Sequence, residues 1–136
     1  MISANELRVG NIVKDADCSI CTIRSIDSER SYTYKGIIYT GTASVFIHKY
    51  NGTTGKWIES LSPIKLTEEI LLKCGAKKDG WEFKLKACAL EITIRLNAGY
   101  VYCEFGNVYL GDRITYLHEL QNLVYGLSKR ELDVKL

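Results

Sequence analysis

Residues 114–132 read Ile114-Thr115-Tyr116-Leu117-His118-Glu119-Leu120-Gln121-Asn122-Leu123-Val124-Tyr125-Gly126-Leu127-Ser128-Lys129-Arg130-Glu131-Leu132. At about 100° per residue, Leu117, Leu120, Leu123, Val124 and Leu127 fall on one side of a helix. This is the clearest helical period in the chain. Thr115 is the expected N-cap, and Gly126 weakens or ends the helix. Ser128 and Glu131 have the spacing of a capping box for a final short turn. An apolar helical face needs a layer to cover, and the preceding residues supply one.

Working backwards, Trp81, Phe83 and Leu85 alternate with Glu82, Lys84 and Lys86. Leu90, Ile92, Ile94 and Leu96 alternate with Glu91, Thr93 and Arg95. Tyr100 to Phe105 and Val108-Tyr109-Leu110 follow, set off by Asn97-Ala98-Gly99 and Gly106-Asn107. Period-two alternation between Gly and Asn turns marks half-buried antiparallel strands. Lys77-Lys78-Asp79-Gly80 reads as a turn before them. Upstream, Thr67 is placed to cap a short helix, Glu68 and Glu69 suit the positive end of its dipole, and Gly75 suits its left-handed end. Glutamates in a first turn need no catalytic explanation. Residues 63–136 therefore predict helix, four-stranded antiparallel meander, helix.

Residues 1–62 predict something different. Ile12-Val13-Lys14, residues 19–27, Lys35 to Tyr39, Ala43 to Tyr50 and Lys56 to Glu59 are short β-branched or aromatic runs. Turn signals separate them at Gly10-Asn11, Asp15 to Asp17, Asp27 to Ser31, Asn51-Gly52 and Thr54-Gly55. That pattern predicts a small antiparallel barrel or curled sheet. The opening Leu7-Arg8-Val9-Gly10-Asn11-Ile12-Val13, followed by a loop and Ile20 to Ile26, resembles Src-homology-three-like small barrels. Pro63, the single proline, marks the expected boundary. The predicted class is α+β, a β-barrel-like part at 1–62 and a helix–meander–helix part at 63–136, with room for one shared core.

The 136 residues carry a formal charge of +2. Residues 1–63 hold seven Lys/Arg against six Asp/Glu, and residues 64–136 hold eleven against ten, so each part is +1. A protein that binds phosphate backbones usually shows a basic face. The one local cluster, Lys77, Lys78, Lys84 and Lys86, is interrupted by Asp79 and Glu82 and reads as a solvated turn and strand. No run of about 18 apolar residues suggests a membrane span, and Met1 to Glu6 lacks a signal-peptide pattern. The expected location is the cytoplasm.

The five cysteines are Cys18, Cys21, Cys74, Cys88 and Cys103. An odd count without a secretory signal predicts free thiols. Cys18-x-x-Cys21 is half of a zinc spacing, but there is no second pair, and His48 and His118 lack the short mutual spacing of a histidine pair. No metal and no cofactor is expected. No phosphate loop, zinc-protease motif or nucleophile elbow occurs, so the expectation is a protein without enzymatic activity. An enzyme of unfamiliar type is the third alternative.

Two binding surfaces are candidates. His118, Gln121, Asn122 and Tyr125 form a polar stripe along the last helix, three, four and seven residues apart. It suits a protein partner, but the favoured reading is an internal hydrogen-bonded boundary. Tyr32, Tyr34, Lys35 and Tyr39 suit nucleic acid, with rings for stacking and a cation for phosphate. They equally suit an ordinary sheet. His48 shares a strand face with Phe46 and Tyr50, alternating with Val45, Ile47 and Lys49, and reads as an ordinary strand residue.

Three phrases together carry a resemblance. They are Ser3-Ala4-Asn5-Glu6-Leu7-Arg8-Val9-Gly10-Asn11, then Pro63-Ile64-Lys65-Leu66-Thr67-Glu68-Glu69-Ile70-Leu71-Leu72-Lys73-Cys74-Gly75, then Tyr116-Leu117-His118-Glu119-Leu120-Gln121-Asn122-Leu123. They resemble an uncharacterised family of small proteins from Bacteroides-type gut bacteria and their phages or integrated elements. The resemblance implies an origin and assigns no activity to any residue. A binding or adaptor module with a protein partner is the first expectation, and nucleic-acid binding through the N-terminal part is the alternative.

Overall fold

The computed structural model describes residue 2 and residues 4–27, 31–40, 44–49, 52–87, 89–97, 100–105, 108–109 and 114–136. The chain forms two compact units, Met1–Ile64 and Lys65–Leu136. Mixed helix and antiparallel sheet make it an α+β protein.

The first unit holds strands β1 (Ile12–Lys14), β2 (Ile20–Asp27), β3 (Ser31–Tyr34), β4 (Ile37–Thr40), β5 (Ser44–Lys49) and β6 (Gly52–Trp57). Four of them make an antiparallel sheet in the order β1-β2-β5-β6, while β3 and β4 pair as a separate hairpin. The sheet is not closed among the described residues, so the predicted barrel is an open sheet. After β6 the chain makes a 3-10 turn at Ile58–Ser60 and touches the β1 edge in one bridge, Lys14 with Ser62. One bridge does not close a barrel. Val13, Cys21, Ile23, Val45 and Ile47 bury one face of the sheet with Ile2, Leu7, Ile58 and Leu61.

Local sequence explains the turns. Arg8 to Asn11 is a hydrogen-bonded turn (Asn11 N to Arg8 O, 3.0 Å), and Gly10 takes φ +96° within it. The Asn11 side chain closes the same turn by accepting from Arg8 N at 2.7 Å. Lys35 and Gly36, expected at the start of a strand, instead form the two-residue turn of the β3–β4 hairpin, with φ +51° and +75°. Two consecutive left-handed residues match the twist of a tight hairpin. Thr54-Gly55, expected as a turn, lies inside β6.

The second unit runs α1 (Glu68–Lys73), β7 (Lys77–Asp79), β8 (Glu82–Ala87), β9 (Leu90–Asn97), β10 (Tyr100–Phe105), β11 (Val108–Tyr109) and α2 (Leu117–Ser128). Its sheet is a meander of five strands in the order β11-β10-β9-β8-β7, one more than predicted. The extra strand is Lys77–Asp79, all three residues exposed. Its backbone pairs with β8, and no apolar period reveals it. The hairpin between them turns on Gly80-Trp81, with Gly80 at φ +63°.

Thr67 caps α1 as expected, accepting from Ile70 N at 3.2 Å. The N-cap of α2 is Tyr116, one residue later than predicted. The reason is Glu119, whose Oε2 accepts from Thr115 N at 2.7 Å and from Tyr116 N at 2.9 Å. One carboxylate thus satisfies two amides at the positive end of the helix. Glu119→Ala is expected to lower stability by about 1 kcal/mol, read as a shift in urea midpoint, while Glu119→Gln keeps most of it. The helix passes through Gly126 and stops at Lys129, which takes φ +59° and donates its amide to Tyr125 O at 2.8 Å. The final short turn expected from Ser128 and Glu131 does not form; Ser128 Oγ instead donates back to Val124 O at 2.7 Å.

Candidate functional site

The α2 stripe divides. His118 and Gln121 are each 1% exposed, alongside the buried Leu117, Leu120 and Val124. Asn122 and Tyr125 are half-buried, as are Leu123 and Leu127. The buried arc of α2 is therefore rotated from the five-residue apolar face expected, towards His118 and Gln121. The Tyr116 ring stacks on the His118 imidazole, centroids 5.9 Å apart and planes 10° apart. Lys129 Nζ lies 5.8 Å from the centre of the Tyr125 ring, within cation–π range. The four residues do not make one continuous solvent-facing row.

Of the second candidate set, Lys35 is exposed at the β3–β4 turn. Tyr32 stands opposite Tyr39 in the hairpin register, and Tyr34 opposite Ile37. The side chains of Tyr32, Tyr34 and Tyr39 lie outside the described residues.

Cys18 and Cys21 have different surroundings. Cys18 is exposed and sits at φ +64° in the loop between β1 and β2. Cys21 is buried, with Sγ 3.5 Å from Val13 O, and burial together with the Asp15 carboxylate pushes its thiol up to about 11. Burial likewise pushes Cys74 up to about 11. A thiol held protonated is a poor nucleophile and a poor metal ligand. Among the described residues, no group of three or more His, Cys, Asp or Glu is placed to hold a metal ion. Cys88 lies outside the described residues, and so does the Cys103 side chain.

A cluster of four charged residues surrounds that loop. Asp15, its side chain 2% exposed, lies 3.0 Å from Lys49 Nζ and 3.6 Å from Lys56 Nζ. Lys49 Nζ also reaches Asp17 at 2.8 Å. Burial raises the Asp15 carboxyl, but the Lys49 hydrogen bond, the Ala16 amide and the two lysine charges outweigh it and hold it below the usual range. The same Lys49 bond holds Asp17 low. Chemically the cluster pins the loop to β5 and β6. The basic cluster read from sequence is neutralised in part: Lys78 pairs with Glu68 at 2.8 Å and Lys84 with Glu82 at 3.3 Å.

Among the described residues, two aromatic side chains outside both candidate sets are open to solvent. Trp81, at the tip of the β7–β8 hairpin, is 89% exposed. Strand alternation places it with Phe83 and Leu85, and the tight turn removes it from that face. The adjacent Asp79-Gly80 dipeptide was the available signal. Phe46, on β5, is 51% exposed. Its alternation with Val45 and Ile47 was legible; which side of the strand met water was not.

Comparison with protein-family models, with curated proteins and with solved structures finds no match. Among the described residues, no helix is long and apolar enough to cross a membrane.

Proposed function

We propose that this protein is a non-enzymatic binding module that docks on a protein partner, with Trp81 as its anchor. The observation that carries this reading is the 89% exposure of a tryptophan at the tip of a two-residue turn. A side chain so placed adds little to folding, because it removes almost no apolar area from water. Tryptophan is enriched among the residues that dominate interface energy, and a hairpin tip can enter a pocket with little loss of backbone freedom. Phe83 and Leu85 carry the hairpin's share of the core instead. The free thiols of Cys18, Cys21 and Cys74 fit a reducing compartment, and the cytoplasm is the proposed setting. A phage or integrated element is the proposed genetic origin, on the strength of the three phrases that carry the family resemblance.

The test is co-purification from the cells that carry the gene. Trp81→Ala is expected to lose a protein species that the unaltered chain and Lys86→Ala both retain. Its unfolding free energy is expected to stay within about 0.5 kcal/mol of the parent. Recovery of the same species by Trp81→Ala and parent alike removes Trp81 as the anchor.

A further inference from the structure

The solvent face of the first unit's sheet has a composition of its own. Strand β5 lies between β2 and β6. Val45 and Ile47 turn inward, so Phe46 and His48 turn out. Phe46 stands opposite Ser25 on β2 and Gly55 on β6. Both neighbours are small. A Cβ at Gly55 would lie 3.6 Å from Phe46 Cε1 and 3.9 Å from Cζ, so the ring leans over bare backbone. Ser25 on the other side is short, and the ring is left half open to solvent.

The same face carries further polar and aromatic groups. His48 stands between Thr22 and Thr53 in register, with Nδ1 3.2 Å from Thr53 Oγ1. Two residues along a strand, Phe46 and His48 are about 7 Å apart, roughly the step of one extended nucleotide. Trp57, half-buried, follows Gly55 on the same side of β6. The register of β2 shifts between Ile23 and Ser25, which makes Arg24 the extra residue of a bulge, and it is exposed. A bulge re-aims the side chain it carries. Lys14 alternates away from the buried Val13 and joins this side at β1.

Charge separates this face from the other sheet. Two cations stand with this face, Lys14 and the exposed bulge residue Arg24, against one carboxylate position, Asp27, which lies opposite Ser44 in the register. Asp15 and Asp17, in the adjoining loop, are held by Lys49 and Lys56. On the β7–β11 sheet the outer face neutralises itself: Arg95 lies 2.8 Å from Glu82 and 2.9 Å from Glu104.

We propose that the solvent face of the β1-β2-β5-β6 sheet binds single-stranded nucleic acid, with Phe46 stacking on a base, Arg24 and Lys14 meeting phosphates, and His48 and Thr53 meeting base edges. Unpaired bases offer the flat faces that an exposed ring on a sheet can reach, whereas a duplex hides them. A neutral sugar would leave both cations without a use. The overall charge of +2 is no obstacle, because two phosphate contacts need only a local pair of cations. This site is independent of Trp81, which lies in the other unit.

The test uses the full chain and fluorescein-labelled 12-residue oligo(dT) and oligo(U), read by fluorescence anisotropy in low salt. Both are expected to bind, and a duplex of the same length to bind at least about tenfold more weakly. Phe46→Ala is expected to weaken single-strand binding by about tenfold, within the range one stacked base supplies. Phe46→Leu keeps an apolar cover over Gly55 and is expected to lose binding as well, while Phe46→Trp retains it. A thermal melt of each variant separates loss of stacking from loss of fold. The salt slope is expected near −1.4, about 0.7 per contact, and to flatten when Arg24 and Lys14 are both changed to alanine. No anisotropy change with either oligonucleotide overturns the proposal. Equal binding of duplex, or unchanged binding by a folded Phe46→Leu, overturns it too.

Discussion

Leu120→Ala is expected to lower the unfolding free energy by about 3–4 kcal/mol. Leu120 is fully buried on α2, between the equally buried Leu117 and Val124. Truncation removes the transfer free energy of three carbons and leaves a void that well-packed neighbours fill only in part. Urea unfolding followed by circular dichroism measures it. Leu123→Ala, on the half-buried side of the same helix, is expected to cost less than half as much. Equal costs at the two positions would mean that the apolar stripe read from sequence, not the arc seen in the structure, is the buried face. His118→Leu sharpens the comparison, since it keeps volume at a buried polar position and tests what the imidazole contributes beyond its packing.

Asp15→Ala is expected to cost about 2–3 kcal/mol. It removes a buried carboxylate and leaves Lys49 and Lys56 facing each other across the gap. The loss stays below that of a fully buried pair because Lys49 keeps Asp17 at 2.8 Å and the Lys56 side chain is partly solvated. The acid limb of the stability curve gives an independent reading. The folded Asp15 carboxyl titrates below its ordinary value of 3.8. Its contribution is therefore complete above about pH 4 and fades as pH falls through the folded value. Asp15→Asn is expected to flatten the stability curve in that window relative to the parent, while Asp17, also held low, keeps a remaining slope. An unchanged acid limb would show that the Lys49–Asp15 ion pair does not persist in solution.

Much of the architecture was legible because each signal had one dominant cause. The cap at Thr67, the turn at Gly10-Asn11, and the alternation through β8 and β9 follow from local chemistry that tertiary context did not override. The departures have causes of a different kind. Strand β7 carries only charged residues, so periodicity has nothing to detect, and its pairing depends wholly on β8. Lys35 takes a left-handed turn conformation that a lysine rarely adopts, so the sequence favoured a strand there. Gly126 stays inside α2 because the helix continues to a left-handed Lys129. The candidate surfaces were harder still. A polar stripe on a helix shows that its members share a side, not whether that side meets water. His118 and Gln121 proved buried, while Trp81 and Phe46, read as ordinary strand residues, proved exposed.

Strand β7 has one more consequence. The edge of any sheet offers a row of amide and carbonyl groups to whatever extended chain drifts past, and β7 is such an edge. Lys77, Lys78 and Asp79 are all exposed to solvent. An incoming strand would have to strip that water from three charged side chains to gain a few backbone hydrogen bonds. The property that hides β7 from a hydrophobicity pattern thus makes it a guard: it completes the meander while discouraging a sixth strand from a neighbouring molecule.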